Sequence, residues 1–115
     1  MYVRSIDPPA QNSIPVFEQL LSNCSTLMSI VGGSHCQYAD EEIGCTLTEK
    51  LCGANPSITR DEQFNVTIGL ILPWMNHFLK SGSDRPTWNT VQENLVNAVR
   101  DNRALILGQR QSACS

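Results

Sequence analysis

Apolar positions recur at helical spacing along most of the chain, interrupted by short polar turns. Residues 1–13 are polar, carry Pro8-Pro9, and read as a flexible lead-in. Ser13 can cap a first helix, Pro15 suits its opening turn, and Ile14, Phe17, Leu20 and Leu21 mark its buried side. Ser25 to Val31 reads as a short second helix, with Leu27, Met28, Ile30 and Val31 apolar and Gly32-Gly33 stopping it. After a loop at 34–39, Asp40-Glu41-Glu42 put negative charge where a helix start favours it. Ile43, Leu47 and Leu51 then mark a third helix that ends near Gly53.

A fourth helix, capped by Thr59 or Asp61, carries the strongest stripe: Phe64, Thr67, Ile68, Ile71, Leu72, Met75 and Leu79. Asn65, Gly69, Asn76 and Lys80 fall on its other side, so the stripe is expected to face the core. Pro73 lies inside this helix and predicts a kink at Gly69–Pro73 that tilts Trp74 toward the core. "SGSDRP" is a turn, in which Asp84 can cap a fifth helix marked by Trp88, Val91, Leu95 and Val99. Arg100–Arg103 break the pattern, and Ala104–Leu107 form a short sixth helix ended by Gly108. The expected fold is all-α, a compact antiparallel six-helix bundle over 14–108, with a tail at 109–115.

The length of 115 residues fits one domain, and 41% apolar with 17% charged residues is a globular balance. No apolar run is long enough to span a membrane. The opening "MYVRSIDPPAQNS" has no apolar segment of a secretory signal, so a cytoplasmic location is expected. Five cysteines, at 24, 36, 45, 52 and 114, form an odd set without a CxxC pair. Reduced, buried thiols are therefore the expected state, with disulfides as the alternative. His35, Cys36, Cys45 and Cys52 are the only zinc set to weigh, and their spacing lacks the close ligand pairs of structural zinc. No metal or cofactor is expected. Two glycosylation sequons, Asn23-Cys24-Ser25 and Asn65-Val66-Thr67, matter only if the chain is secreted.

The net charge of −3 is unevenly spread. Residues 1–79 hold three cations against eight carboxylates, and residues 80–115 hold five cations against three. Opposite signs on different faces suit association with copies or a like partner. Neither His35 nor His77 sits in a nucleophile–base arrangement, and no Gly-rich phosphate loop opens a helix, so an enzyme is not expected. A DNA-reading helix-turn-helix would need a basic second helix. "TWNTVQENLVNAV" has no Lys or Arg and one Glu, so nucleic acid is not an expected partner.

The order of these pieces resembles the death domain superfamily. The residues that carry the resemblance are Leu70-Ile71-Leu72-Pro73-Trp74, then "KSGSDRPTW", then "ENLVNAV". Upstream, "LMSIVGG" is similar to that family's second helix, "ADEEI" to its acidic third-helix start, and "NRALIL" to its last short helix. "LMSIVGG" and "RPT" are similar to the Tube/Pelle-like members. The usual tryptophan of the second helix is missing, and Pro73 is not a family hallmark.

The resemblance implies an adaptor for homotypic death-domain assembly in innate immune or apoptotic signal transduction. Its partner would be another death-domain protein, a kinase or receptor among the choices. Contact residues implied by position are Asp40, Glu41 and Glu42; Arg60, Asp61 and Glu62; Lys80, Asp84 and Arg85; and Arg100, Asp101 and Arg103. Trp74 and Trp88 are assigned to the core. Two alternatives stand beside this reading. One is a secreted, disulfide-stabilised helical protein acting as an extracellular ligand or effector. The other is a helical DNA-binding domain.

Overall fold

The computed structural model describes residues 2–3, 13–39, 43–51 and 55–115. In chain order these form strand β1 (Tyr2–Val3), helix α1 (Ser13–Gln19), strand β2 (Ser25–Ile30), a 3-10 turn (His35–Tyr38) and helix α2 (Ile43–Leu51). Helix α3 (Arg60–Leu79), a second 3-10 turn (Gly82–Asp84), helix α4 (Trp88–Arg100) and strand β3 (Ala104–Arg110) follow. The expected six-helix all-α bundle is therefore not the fold. The described residues form four α-helices and one three-stranded sheet of order β1-β2-β3.

The two segments expected as the second and sixth helices are the two long strands of this sheet. Each is a short apolar run between turn signals, a pattern that periodicity alone does not assign to helix or strand. One or two isolated helical turns would leave most of their backbone groups unpaired. Lying antiparallel, with Ser25 opposite Arg110 and Ile30 opposite Ala104, the segments satisfy one another instead. Ile30 and Ala104 are both fully buried at the closed end of the ladder. A bulge between Leu27 and Met28 shifts the register once, and β1 adds a parallel pair at Tyr2–Ser29 and Val3–Ile30.

Gly32 ends β2 rather than a helix. Its φ is +74°, in the left-handed region that favours glycine, and a Cβ there would press against Ser57 Oγ. Asn102, with φ of 55°, closes α4. The Arg103 N–H donates to Ala98 O at 2.9 Å and the Asn102 N–H to Val99 O at 3.1 Å, the pairing of a Schellman cap. This is where "RDNR" interrupts the apolar pattern, and it turns the chain directly into β3.

α3 and α4 form an antiparallel hairpin across one face of the sheet, and Met28, Ile30, Leu70, Leu95 and Ala104 make the core between them. Thr59 starts α3 with a full capping box: Glu62 N–H donates to Thr59 Oγ1 at 3.2 Å, and Thr59 N–H donates to Glu62 Oε2 at 2.7 Å. Thr87, not Asp84, caps α4, accepting from Thr90 N–H at 3.2 Å. α3 runs as one helix through Pro73, which is not a break point. The carbonyl of Gly69, deprived of its helical donor, lies at an exposed position where water can satisfy it.

The cysteines differ from the expected reduced state. Cys24 bonds Cys114 and Cys36 bonds Cys45. This removes two members of the zinc set, and among the described residues no cluster of His, Cys, Asp or Glu could hold a metal. Cys52 lies outside the described residues. The first disulfide ties the segment after β3 to the start of β2, and Cys114 is 1% exposed.

Candidate functional site

The most unusual feature of the surface is α3. The side that packs on the sheet carries Gln63, Thr67, Leu70 and His77, all buried, with Trp74 half-buried between them. Three of those four are polar, and each has a partner. Gln63 hydrogen-bonds the backbone of Ser34, Thr67 Oγ1 donates to Gln63 O and pairs with the Tyr38 hydroxyl, and the His77 ring lies between the carbonyls of Pro86 and Cys114. Around the helix from this buried side lies the stripe Ile68, Ile71, Leu72, Met75, Phe78 and Leu79. These six are between 39% and 74% exposed.

The stripe that the spacing predicts for the core is thus largely the outward one. At roughly 200 Å² for a large apolar side chain, its exposures leave about 600 Å² of apolar surface in water. That is the top of what a monomer ordinarily shows. No Asp, Glu, Lys or Arg occurs between Gln63 and Leu79. Ile71 also lines an apolar cleft of 180 Å³ between β2 and the α3–α4 hairpin, with Thr26, Met28, Leu70, Trp74 and Leu95 as its other walls. Stripe and cleft are one continuous surface. Beside it, Trp74 and Trp88 meet edge to face at 5.2 Å, and Phe78 and His77 pack on the same cluster.

The charged residues named from sequence are placed differently. Asp40, Glu41 and Glu42 lie outside the described residues. Arg60 sits over the Phe64 ring at 5.5 Å, Asp61 is exposed, and Glu62 serves the capping box. The hydrogen bonds that Glu62 accepts from Thr59 hold its carboxyl below the ordinary carboxylate value. Arg103 pairs with Asp101 at 3.0 Å and Arg100 reaches Asp101 at 3.9 Å, all exposed.

The antiparallel hairpin brings the start of α3 to the end of α4. Glu62 and Arg103 share a cleft of 510 Å³, and Arg100, Asp101 and Arg103 line an adjoining one of 290 Å³. Lys80, Asp84 and Arg85 stand at the opposite end of the hairpin. There the Arg85 guanidinium donates to the carbonyl of His77.

The Tyr38 and Thr67 hydroxyls hydrogen-bond each other at 2.5 Å. Burial pushes the Tyr38 hydroxyl above its ordinary value, outweighing the hydrogen bonds from Thr67 and Gln63 that act the other way. No helix among the described residues is long and apolar enough to cross a membrane.

One signal for the outward stripe was present in the sequence. Leu70 and Trp74 fall off the stripe at helical pitch, so α3 is apolar on two sides, and one of them needs a second surface to cover it. Set against protein-family models, curated proteins and solved structures, the chain matches none.

Proposed function

We propose that this chain is a non-catalytic, protein-binding module of an oxidising compartment, and that it assembles with a second copy of itself through the apolar face of α3. The observation that carries the reading is the uncharged, exposed stripe from Ile68 to Leu79, continuous with the cleft beside Trp74.

The choice of a second copy rests on three features. The stripe repeats at seven-residue intervals, Ile68 with Met75, Ile71 with Phe78 and Leu72 with Leu79. Like helices interlock along such a seam. Two stripes face to face would bury about 1,200 Å², the lower limit for stable interfaces. No charge on the stripe repels its own image.

A membrane surface is a poorer occupant. Interfacial helices hold Lys and Arg on the polar face, and α3 has none between Gln63 and Leu79. The two disulfides support the compartment, since such bonds persist where thiols are not kept reduced. Of the expectations from sequence, homotypic assembly is retained, moved from the charged clusters to an apolar face.

Sedimentation velocity on the oxidised chain across the micromolar range tests the reading. Wild type should pass from monomer to dimer, and the Leu72→Glu/Met75→Glu variant should stay monomeric with unchanged circular dichroism. A wild type that remains monomeric throughout contradicts it.

A further inference from the structure

We infer that Asn65 carries an N-linked glycan, seated in the clefts between the start of α3 and the end of α4. The inference rests on the oxidising compartment proposed above, because the lumen in which disulfides form is also where such glycans are attached.

Asn65-Val66-Thr67 is an acceptor triplet with threonine at its third position. The fold sets its two working residues apart. Asn65 is exposed, whereas Thr67 is 8% exposed, its hydroxyl donating to Gln63 O at 2.8 Å and paired with the Tyr38 hydroxyl. The hydroxyl cannot assist transfer once the helix has formed. Transfer therefore takes place on the extended chain, before α3 packs against the 3-10 turn. In that step a bond forms between Asn65 Nδ2 and the anomeric carbon of a lipid-pyrophosphate-linked oligosaccharide. The bond from that carbon to the pyrophosphate oxygen breaks, the lipid pyrophosphate leaves with the electron pair, and the amide nitrogen loses one proton.

The folded chain then has room for the product. Asn65 lines both the 290 Å³ and the 510 Å³ cleft, together with Val66 and Arg103. Asn94, Asn97 and Arg100 on one side and Glu62 and Asn102 on the other offer donors and acceptors for sugar hydroxyls. No residue of the apolar stripe lines either cleft, so a glycan seated there leaves the stripe open. The second triplet, Asn23-Cys24-Ser25, has serine rather than threonine at its third position, and its middle residue, Cys24, is taken into the bond with Cys114.

The test is production of the full chain behind a secretion signal in eukaryotic cells. Intact mass is measured on secreted and cell-retained protein, before and after peptide-N-glycosidase, alongside a count of free thiols. One glycan per chain is expected. It should be lost in Asn65→Gln and Thr67→Val, and kept in Thr67→Ser and Asn23→Gln. Thr67→Val removes a buried hydrogen bond, so the exposed Asn65→Gln decides if that variant misfolds. Paired cysteines with no glycan, or a glycan on Asn23 alone, overturn the inference and leave the compartment reading standing. Free thiols at Cys24, Cys36, Cys45 and Cys114 overturn the compartment reading and this inference with it.

Discussion

The side-chain amide of Gln63 and the backbone of Ser34 exchange two hydrogen bonds. Ser34 N–H donates to Gln63 Oε1 at 2.8 Å, and Gln63 Nε2 donates to Ser34 O at 2.9 Å. Gln63 is fully buried and Ser34 is 1% exposed, so the glutamine does for Ser34 what a neighbouring strand would do. Gln63→Leu removes both partners and strands a buried N–H and a buried carbonyl. It should cost about 2–4 kcal/mol, read as a lower midpoint in urea. A midpoint equal to wild type would show that the loop does not depend on this pair.

Two neighbouring leucines of α3 separate the buried side from the exposed one. Leu70 is 6% exposed and belongs to the core, while Leu72 is 52% exposed. Leu70→Ala should therefore destabilise by about 2–5 kcal/mol, and Leu72→Ala by less than about 1 kcal/mol in the monomer. Thermal unfolding at low protein concentration checks both. Equal losses would mean that Leu72 packs in the core as Leu70 does.

That pair also shows how far the sequence could be read. α1, α2, α3 and α4 lie where apolar spacing predicts helices, because i, i+4 spacing is local, but Thr87 rather than Asp84 caps α4, and Leu20 and Leu21, assigned to the buried side of the first helix, lie exposed beyond the end of α1. β2 and β3 were invisible for the opposite reason. Ser25–Ile30 becomes a strand only when Ala104–Arg110 arrives beside it, more than 70 residues later. The stripe of α3 was legible as a stripe, but not the direction it faces. Periodicity registers apolar residues and does not register that Gln63, Thr67 and His77 have hydrogen-bond partners waiting in Ser34, Tyr38 and Cys114.

The Cys24–Cys114 bond joins residues 90 apart in sequence. Its loss in Cys24→Ser/Cys114→Ser should cost about 4–5 kcal/mol if it acts mainly on the unfolded chain. With four described cysteines paired, denatured but unreduced protein should show at most one reactive thiol. Four or five reactive thiols would contradict the pairing.

Thr59→Ala removes the acceptor that opens α3 and should cost about 1 kcal/mol. The other half of the capping box, the Thr59 N–H donating to Glu62, shapes the response to acid. The Glu62 carboxyl is held below its ordinary value of 4.5 in the folded chain by Thr59. A depressed value means that the contribution to stability is present above 4.5 and is lost as pH falls through the folded value. Melting temperatures taken from neutral pH into this acid range should fall less steeply for Glu62→Gln than for wild type. Identical slopes would show that the capping carboxylate adds nothing.

Met75 and Met28 together test the central claim, that an apolar face of α3 points outward and is covered by a second copy. Met75 is 46% exposed on the stripe, and Met28 is 5% exposed in the core. The measurement is oxidative footprinting of both methionines over a dilution series, with sulfoxide read residue by residue by mass spectrometry. An outward, self-associating face predicts rapid oxidation of Met75 in dilute protein, protection of Met75 as concentration rises, and slow oxidation of Met28 throughout. Protection of Met75 at every dilution would place the stripe in the core. A Met75 rate that ignores concentration would leave the face exposed but without a second copy to cover it.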